Sequence, residues 1–195
     1  METTLLKQTI DLSSKVAIVT GGAMGIGFGI AYRLAEAGAS VVIGDVNKIA
    51  ADESAEKLVT KGWKAVGVEV DVSDANQVAR MTDTAVSTYG SIDILVNNAG
   101  IYPNVPVMQM QEKDFDRIFA VNLKSVFLCV KNVAEQMIKQ GRGGKIINIT
   151  SIDALHPSMV GLAAYDASKH GLWGFTKNVA LELAPHKIWV NAIAP

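Results

Sequence analysis

Val16-Ala-Ile-Val-Thr-Gly-Gly-Ala-Met-Gly-Ile-Gly27 is the stretch that decides the fold. Its first five residues, Val16–Thr20, are apolar or β-branched and predict a short buried strand. A cluster of glycines follows at once and opens a helical pattern. Glycines in such a turn let the backbone approach a pyrophosphate closely, and free N–H groups at the helix start bind the anion. The spacing, Gly-x-x-x-Gly-x-Gly, is not the commonest dinucleotide fingerprint, so a plain tight turn stays open as an alternative.

Outward from this stretch, short apolar runs alternate with longer runs of helical spacing. This alternation predicts a single α/β domain over residues 1–195, built on a doubly wound parallel sheet. The predicted strands are Val16–Thr20, Ser40–Asp45, Lys64–Val70, Ile92–Asn97, Lys145–Thr150 and Ile188–Ile193. The predicted helices are Ile26–Ala37, Lys48–Lys61, Asp74–Tyr89, Glu112–Lys139 and Leu162–Leu183.

Three residues are predicted to mark helix ends. Gly38 and Gly62 lie where C-terminal caps belong, and Ser73 is expected to act as the N-cap of the helix that follows it. The long helix Glu112–Lys139 has apolar positions for both a core face and a partner face. This pattern favours an oligomer.

Composition excludes several function classes. The chain has 18 basic and 19 acidic residues, a formal charge of -1 and a pI near 6.3, which argues against nucleic-acid or anionic-lipid binding by bulk charge. The longest uncharged stretch, Val16–Tyr32, contains five glycines and is short for a membrane span. The segment Met1–Ser14 lacks the apolar core of a signal peptide. We therefore expect a cytoplasmic protein that does not enter a membrane.

Metal and disulfide chemistry is not expected. Cys129 is the single cysteine, which excludes internal disulfides and multi-cysteine metal sites and suits a reducing compartment. His156, His170 and His186 have no ligand-like spacing, so we interpret them as surface or packing residues. The sequence predicts no metal site.

Asp45 ends the second predicted strand. An acid at that place can hydrogen-bond the ribose hydroxyls of a dinucleotide and repel a 2′-phosphate. The alternative is a helix N-cap or a solvated turn residue. Taken with the glycine loop, Asp45 favours NAD over NADP.

Three further residues can carry proton chemistry. Tyr165 and Lys169 are four residues apart on a predicted helix, so both side chains lie on one face. A nearby cation stabilises a phenolate and lowers the pKa of the phenol. Ser151 follows the fifth predicted strand, at the sheet edge where open α/β sheets bind ligands. By itself, a half-buried tyrosine beside a surface lysine is the plainer interpretation.

Six pieces of sequence, in this order, resemble the short-chain dehydrogenase/reductase family. They are the loop Thr20–Gly27, the pair Asp71-Val72, the motif Asn97-Asn98-Ala99-Gly100, Asn122 within Val-Asn-Leu, Ser151, and Tyr165 with Lys169. Each is weak alone, but the ordered set covers essentially the whole chain and is very specific. The resemblance implies a Rossmann fold and a bound NAD.

The resemblance also implies roles for individual residues. Tyr165 would be the general acid/base, and Lys169 would lower its pKa and hold the nicotinamide ribose. Ser151 would polarise the substrate oxygen, and Asn122 would hold a water of the proton relay. The candidate cofactor-binding residues are Gly21, Met24, Gly25, Ile26, Gly27, Asp45, Asp71, Val72, Asn98, Ala99, Gly100, Tyr165 and Lys169.

The sequence stops at Asn191-Ala-Ile-Ala-Pro195. Members of the family continue with a glycine, a substrate-covering loop and helix, and a seventh strand, so the resemblance implies a chain truncated at its C-terminus. We expect weak NAD binding and low or no turnover from the 195 residues.

The leading functional prediction is hydride transfer between NAD(H) and a secondary alcohol or its ketone, with polyols, sugars and hydroxy-acyl compounds as candidate substrates. A non-catalytic NAD-binding or regulatory fragment is the alternative. The sugar-nucleotide epimerase and dehydratase branch is a third, disfavoured by the glycine spacing and the length of the chain. The resemblance suggests a homodimer or homotetramer through the helices Glu112–Lys139 and Leu162–Leu183.

Overall fold

The computed structural model describes residues 10–156 and 159–195. Within these residues, one sheet contains the strands β1 (Val16–Thr20), β2 (Ser40–Asp45), β3 (Ala65–Glu69), β4 (Ile94–Asn97), β5 (Gly144–Ile149) and β6 (Ile188–Ile193). All neighbouring strands are parallel, in the order β3-β2-β1-β4-β5-β6. The predicted doubly wound parallel sheet is confirmed, and the predicted strand ends agree within two residues.

Six α-helices of the described residues flank the sheet. They are α1 (Gly25–Glu36), α2 (Lys48–Val59), α3 (Ala75–Tyr89), α4 (Glu112–Phe119), α5 (Ser125–Gln140) and α6 (Ala163–Leu183). Short 3-10 turns cover Ile152–Ala154 and Ala184–His186. Among residues 10–156 and 159–195, no helix has the length and apolar content needed to cross a membrane.

The hydrophobic core has two layers, one on each face of the sheet. Successive side chains of a strand point to opposite faces, so Ile18 packs in one layer while Ala17 and Val19 pack in the other. The first layer also contains buried residues of α3, α5 and α6, and the second those of α1 and α2. Burial on both faces explains why the strands are almost entirely apolar.

The order of the strands fixes where a ligand can bind. From β1 the chain moves to β2 on one side, and the later strand β4 pairs with β1 on its other side. Such a reversal leaves a crevice beyond the carboxyl ends of the two strands. The glycine loop follows β1 at this place, and Asn98 follows β4.

The N-cap prediction at Ser73 is wrong. The N-cap of α3 is Asp74, whose Oδ1 accepts hydrogen bonds from the N–H groups of Asn76 at 2.8 Å and Gln77 at 3.1 Å. Ser73 instead donates from its backbone N–H and its hydroxyl to a carboxylate oxygen of Asp71. Gly38 and Gly62 follow α1 and α2 with positive φ angles of 102° and 81°, as expected of C-terminal caps.

The predicted helix Glu112–Lys139 is not one regular α-helix. A π-helical turn, Ala120–Lys124, separates α4 from α5. Such turns insert one extra residue per turn and often mark functional sites. The sequence expectation for Met1–Ser14 lies largely outside the described residues.

Candidate active site

A cleft of about 800 Å³ lies at the carboxyl ends of the strands. It brings together residues that are far apart in the sequence. Fourteen of the fifteen predicted site residues line it: Gly21, Met24, Gly25, Ile26, Gly27, Asp45, Asp71, Val72, Asn98, Ala99, Gly100, Ser151, Tyr165 and Lys169. The remaining one, Asn122, is buried behind the wall of the cleft.

In the glycine loop, the backbone around Gly21 and Gly27 is packed so closely that it leaves no space for side chains. A Cβ atom on Gly27 would lie 2.0 Å from the carbonyl oxygen of Gly21, and Gly21 itself has a φ of 60°. The amide of Asn98 donates to the carbonyls of Thr20 at 3.0 Å and Gly21 at 2.9 Å, which fixes the loop against β4. The N-cap Met24 provides no side-chain hydrogen bond to the start of α1. The first N–H groups of this helix are therefore available to an anion.

Asp45 lies at the end of β2 and is buried. Its two carboxylate oxygens accept hydrogen bonds from the N–H groups of Ala23 at 3.2 Å and Asn47 at 3.1 Å. These contacts hold the carboxylate against the glycine loop. Each oxygen keeps a lone pair for a further donor, as recognition of a ribose hydroxyl requires.

Asp71 is part of a charged pair that sequence reasoning missed. Arg117, on α4, lies 3.3 Å from a carboxylate oxygen of Asp71 and also lines the cleft. Burial alone would raise the pKa of Asp71, but hydrogen bonds from Ser73 and the Arg117 guanidinium together hold it below its usual range. No spacing pattern links residues 46 apart, so this pair could not have been predicted from the sequence.

Tyr165 and Lys169 lie one turn apart on α6, as predicted. The Lys169 ammonium donates to the carbonyl of Ile149 at 2.8 Å and lies 5.8 Å from the centre of the Tyr165 ring. Ser151 follows β5 at the carboxyl edge of the sheet and lines the same cleft as Tyr165 and Lys169. Its hydroxyl oxygen accepts a hydrogen bond from the N–H of Asp153 at 3.2 Å.

Burial dominates the electrostatics of this group. Burial raises the pKa of the Tyr165 phenol, a hydrogen bond with Ser151 acts in the opposite direction, and the charges of Asp153 and Asp166 raise it further. Burial also lowers the pKa of Lys169 from 10.5 to about 8. The pKa of the Tyr165 phenol thus lies above its ordinary value, so the phenol carries its proton at neutral pH.

Asn122 lies in the π-helical turn and is fully buried. Its side-chain oxygen accepts from the N–H of Ile101 at 2.8 Å, and its amide donates to the Ile101 carbonyl at 2.9 Å and to the Ser168 hydroxyl at 3.0 Å. Ser168 in turn donates to the backbone carbonyl of Tyr165 at 2.6 Å. Asn122 thus ties the loop after β4 to the helix that carries Tyr165 and Lys169.

Tyr102 is a second residue that the motifs did not single out. It lies on the loop after β4, lines the cleft, and places its ring edge-on to Tyr165 with 6.2 Å between centroids. The loop that carries it, residues 101–107, is largely apolar. Its ring forms part of the wall next to the proposed proton donor.

Other reactive side chains lie apart from the cleft. Burial raises the pKa of Cys129 to about 12, so this thiol is inert. In the described part of the chain, no group of three metal-ligating side chains comes together.

Comparison with known proteins agrees with this geometry. The family described as short chain dehydrogenase matches residues 15–195. The chain is 41% identical over 191 residues to 2-dehydro-3-deoxy-D-gluconate 5-dehydrogenase of Dickeya dadantii, covering 98% of this chain and 74% of the relative. It is 40% identical over 185 residues to a 3-oxoacyl-[acyl-carrier-protein] reductase of Synechocystis, covering 94% and 74%.

A solved structure shows the same fold. It is a short-chain type dehydrogenase/reductase from Mycobacterium marinum, with a TM-score of 0.93, 36% sequence identity, and coverage of 100% of this chain and 78% of that chain. Cleft, glycine loop and family match point the same way: the chain belongs to the short-chain dehydrogenase family, whose members are oxidoreductases that bind NAD(P).

Proposed function

We propose that this chain is an NAD-dependent oxidoreductase that transfers hydride between NAD(H) and a secondary alcohol or its ketone. The observation that carries the proposal is the meeting of two sets of residues in one cleft. The glycine loop and Asp45 form one end of it, and Ser151, Tyr165 and Lys169 lie together with them. Dinucleotide recognition and proton transfer are thereby possible at a single site.

The residues present fit a dinucleotide. The side-chain-free backbone of Gly21, Gly25 and Gly27, beside the start of α1, suits a pyrophosphate. Asp71, Val72, Asn98, Ala99 and Gly100 would complete the binding surface. When bound, the nicotinamide supplies or accepts the hydride, which protein side chains cannot do.

The charges of the cleft support NAD over NADP. Asp45 would repel a 2′-phosphate and accept hydrogen bonds from the ribose hydroxyls. Of the residues that the structure describes, Arg117 and Lys169 are the cations lining the cleft. Arg117 is paired with Asp71, and the Lys169 ammonium donates to the carbonyl of Ile149 and lies near the Tyr165 ring, so we assign neither cation to a phosphate beside Asp45.

The proton chemistry is assigned to Tyr165 and Ser151. When a ketone is reduced, charge develops on its oxygen, and the Ser151 hydroxyl stabilises that charge by hydrogen bonding. The Tyr165 phenol donates the proton that completes the alcohol. In the reverse direction, the same oxygen of Tyr165 accepts the proton.

Lys169 and Asn122 support these groups. The Lys169 ammonium would hold the nicotinamide ribose and stabilise the tyrosinate formed after proton transfer. The side-chain amide of Asn122 already donates both hydrogen atoms, so we propose that its side chain positions the loop and helix. The water-holding role that the resemblance implies stays a prediction.

Substrate, assembly and location remain proposals of the same kind. The relatives above are named for a deoxy sugar acid and for a 3-oxoacyl group, which supports a hydroxyl or keto substrate. We propose assembly as a homodimer or homotetramer through the long helices, and a location in the cytoplasm. The non-catalytic alternative gains no support from relatives named as a dehydrogenase and a reductase.

The test of the cofactor proposal is a fluorescence titration of the purified chain with NADH and, separately, with NADPH. We expect saturable binding that is at least about tenfold tighter for NADH. Asp45→Ala should weaken NADH binding and reduce the preference. Asp52→Ala is the matched control, because this exposed acid pairs with Lys48 and does not line the cleft.

Tighter binding of NADPH, or unchanged binding by Asp45→Ala, would refute the assignment of NAD. The same titration measures the predicted weakness of binding.

Turnover tests the catalytic assignment. The probes are 2-dehydro-3-deoxy-D-gluconate with NAD and a 3-oxoacyl thioester with NADH. Tyr165→Phe is expected to lower kcat by about 10²- to 10⁴-fold, the range of general acid–base catalysis, with dinucleotide affinity retained. If Tyr165→Phe turned over either probe at the unsubstituted rate, Tyr165 would not be the proton donor.

A further inference from the structure

The turn that carries Ser151 is held from several sides. Ser151 is the N-cap of the 3-10 turn Ile152–Ala154, and its hydroxyl oxygen accepts from the N–H of Asp153. The N–H of Ile152 donates to the carbonyl of Pro195 at 3.0 Å. Because Ser151 and the turn are held as a unit, the placement of the turn decides where the serine hydroxyl lies.

His170 provides a contact from α6 to this turn. Its Nδ1 lies 2.6 Å from the carbonyl oxygen of Ala154. A carbonyl oxygen can only accept, so Nδ1 carries the hydrogen and donates it. The ring is also edge-on to Trp173, with 5.7 Å between centroids, and Lys177 lies over the other ring at 4.1 Å. The imidazole is therefore held in place by the next turn of its own helix.

We propose that His170 is a positioning residue for Ser151, an inference that rests on the proposed function. His170 follows Lys169 directly and is five residues after Tyr165. The helix α6 thus carries the proposed proton donor Tyr165, the cation Lys169 and the histidine that contacts the serine turn. The distance between the Ser151 hydroxyl and the Tyr165 phenol is then set through α6.

Ser151 must be held at a fixed distance from Tyr165. Ser151 and Tyr165 belong to different elements, and both must meet one substrate oxygen. Misplacement of a reacting group by about 1 Å can cost on the order of 10²-fold in rate. Without His170, the side-chain link from α6 to the carbonyl of Ala154 is lost, and the turn relies on its own hydrogen bonds and on Pro195.

Two substitutions separate the hydrogen bond from the packing. His170→Phe keeps an aromatic ring beside Trp173 but removes the donor. His170→Asn restores a donor, because the amide nitrogen of asparagine occupies nearly the place of Nδ1. His186→Phe is the control, a change of the same type at an exposed histidine in the turn Ala184–His186.

The first readout is hydrogen–deuterium exchange of the full chain over residues 151–156. His170→Phe should accelerate exchange there by about fivefold, the effect of one lost hydrogen bond, while β1 is unchanged. His170→Asn and His186→Phe should exchange like the unsubstituted chain. Equal exchange in His170→Phe and the unsubstituted chain would overturn the proposal.

The second readout is kinetic, with the two probes named above. His170→Phe should lower kcat by about tenfold and leave NADH affinity unchanged, and His170→Asn should recover most of the loss. A loss that His170→Asn does not recover, or one that His186→Phe shares, would also overturn the proposal. If the unsubstituted chain neither binds NADH nor turns over either probe, the proposed function fails, whereas the exchange experiment still decides the role of His170.

Discussion

At the residue scale, the proposed function of Lys169 and the stability of the fold oppose each other. The side chain is 4% exposed, and its ammonium has one hydrogen bond, to the carbonyl of Ile149. Burial lowers its pKa to about 8, so the charged form is disfavoured in the folded chain yet still predominates at pH 7. Between the folded pKa and the ordinary value of 10.5, the unfolded chain binds more protons, so stability rises with pH through this window.

Lys169→Met should therefore stabilise the fold while removing turnover. We expect the free energy of unfolding at pH 7 to rise by about 2 kcal/mol, the relief of the buried charge less one hydrogen bond. The gain should shrink as the pH rises from about 8 towards 10.5, where the lysine of the unsubstituted chain is neutral in the folded state. Urea denaturation at both ends of that window measures it, and a less stable methionine variant at pH 7 would contradict the argument.

At the scale of elements, the glycine loop and α1 act as one rigid part. Gly27 packs against the backbone of Gly21, whereas a Cβ atom added to Gly29, two residues further along α1, would meet nothing within 4 Å. The two glycines lie on the same helix and differ only in their surroundings. They form a matched pair for testing the role of close approach.

Gly27→Ala should displace the loop, because the added carbon would overlap the Gly21 carbonyl and the amide of Asn98. We expect a loss of stability of about 3 kcal/mol and of measurable NADH binding. Gly29→Ala should raise stability by roughly 0.5 to 1 kcal/mol, since alanine favours the helix. Thermal unfolding and NADH titration of both variants test this; equal behaviour would show that the glycine loop is not tightly packed.

At the scale of the whole molecule, the helices α4, α5 and α6 expose several large apolar side chains. Phe115 on α4, and Phe127 and Ile138 on α5, are each at least 40% exposed. Leu181 on α6 is 75% exposed. Exposed apolar side chains can form interaction surfaces, and these helices are the ones proposed to form the interface.

Phe127→Asp should reduce the size of the assembly. If Phe127 lies in the proposed interface, its burial there contributes about 2 kcal/mol of binding free energy. Burying a charge in its place would cost more than that. Light scattering coupled to size exclusion measures the mass. Ile49→Asp is the control, because Ile49 is 72% exposed but lies on α2, which packs on the opposite face of the sheet. A monomeric unsubstituted chain would refute the proposed oligomer.

Most of the fold could be predicted because its signals are local. Each strand is a short β-branched run, and each helix has periodic apolar positions, so their order along the chain implies the parallel sheet. The misplaced cap at Ser73 and the missed π-helical turn have a common cause. Both features depend on which hydrogen bonds the backbone and the polar side chains form, and the periodicity of apolar residues carries no information about those hydrogen bonds.

The candidate site divides in the same way. The sequence by itself determined the doubly wound parallel sheet and the positions of the glycine loop, Asp45 and Ser151, because each of these follows or ends a predicted strand. It also determined that Tyr165 and Lys169 share one helix face, because they are four residues apart. Only the tertiary structure decided that Arg117 reaches Asp71 and that His170 holds the serine turn. It also decided that burial raises the pKa of Tyr165. Contacts and desolvation depend on distances between segments remote in sequence, and no local pattern encodes those distances.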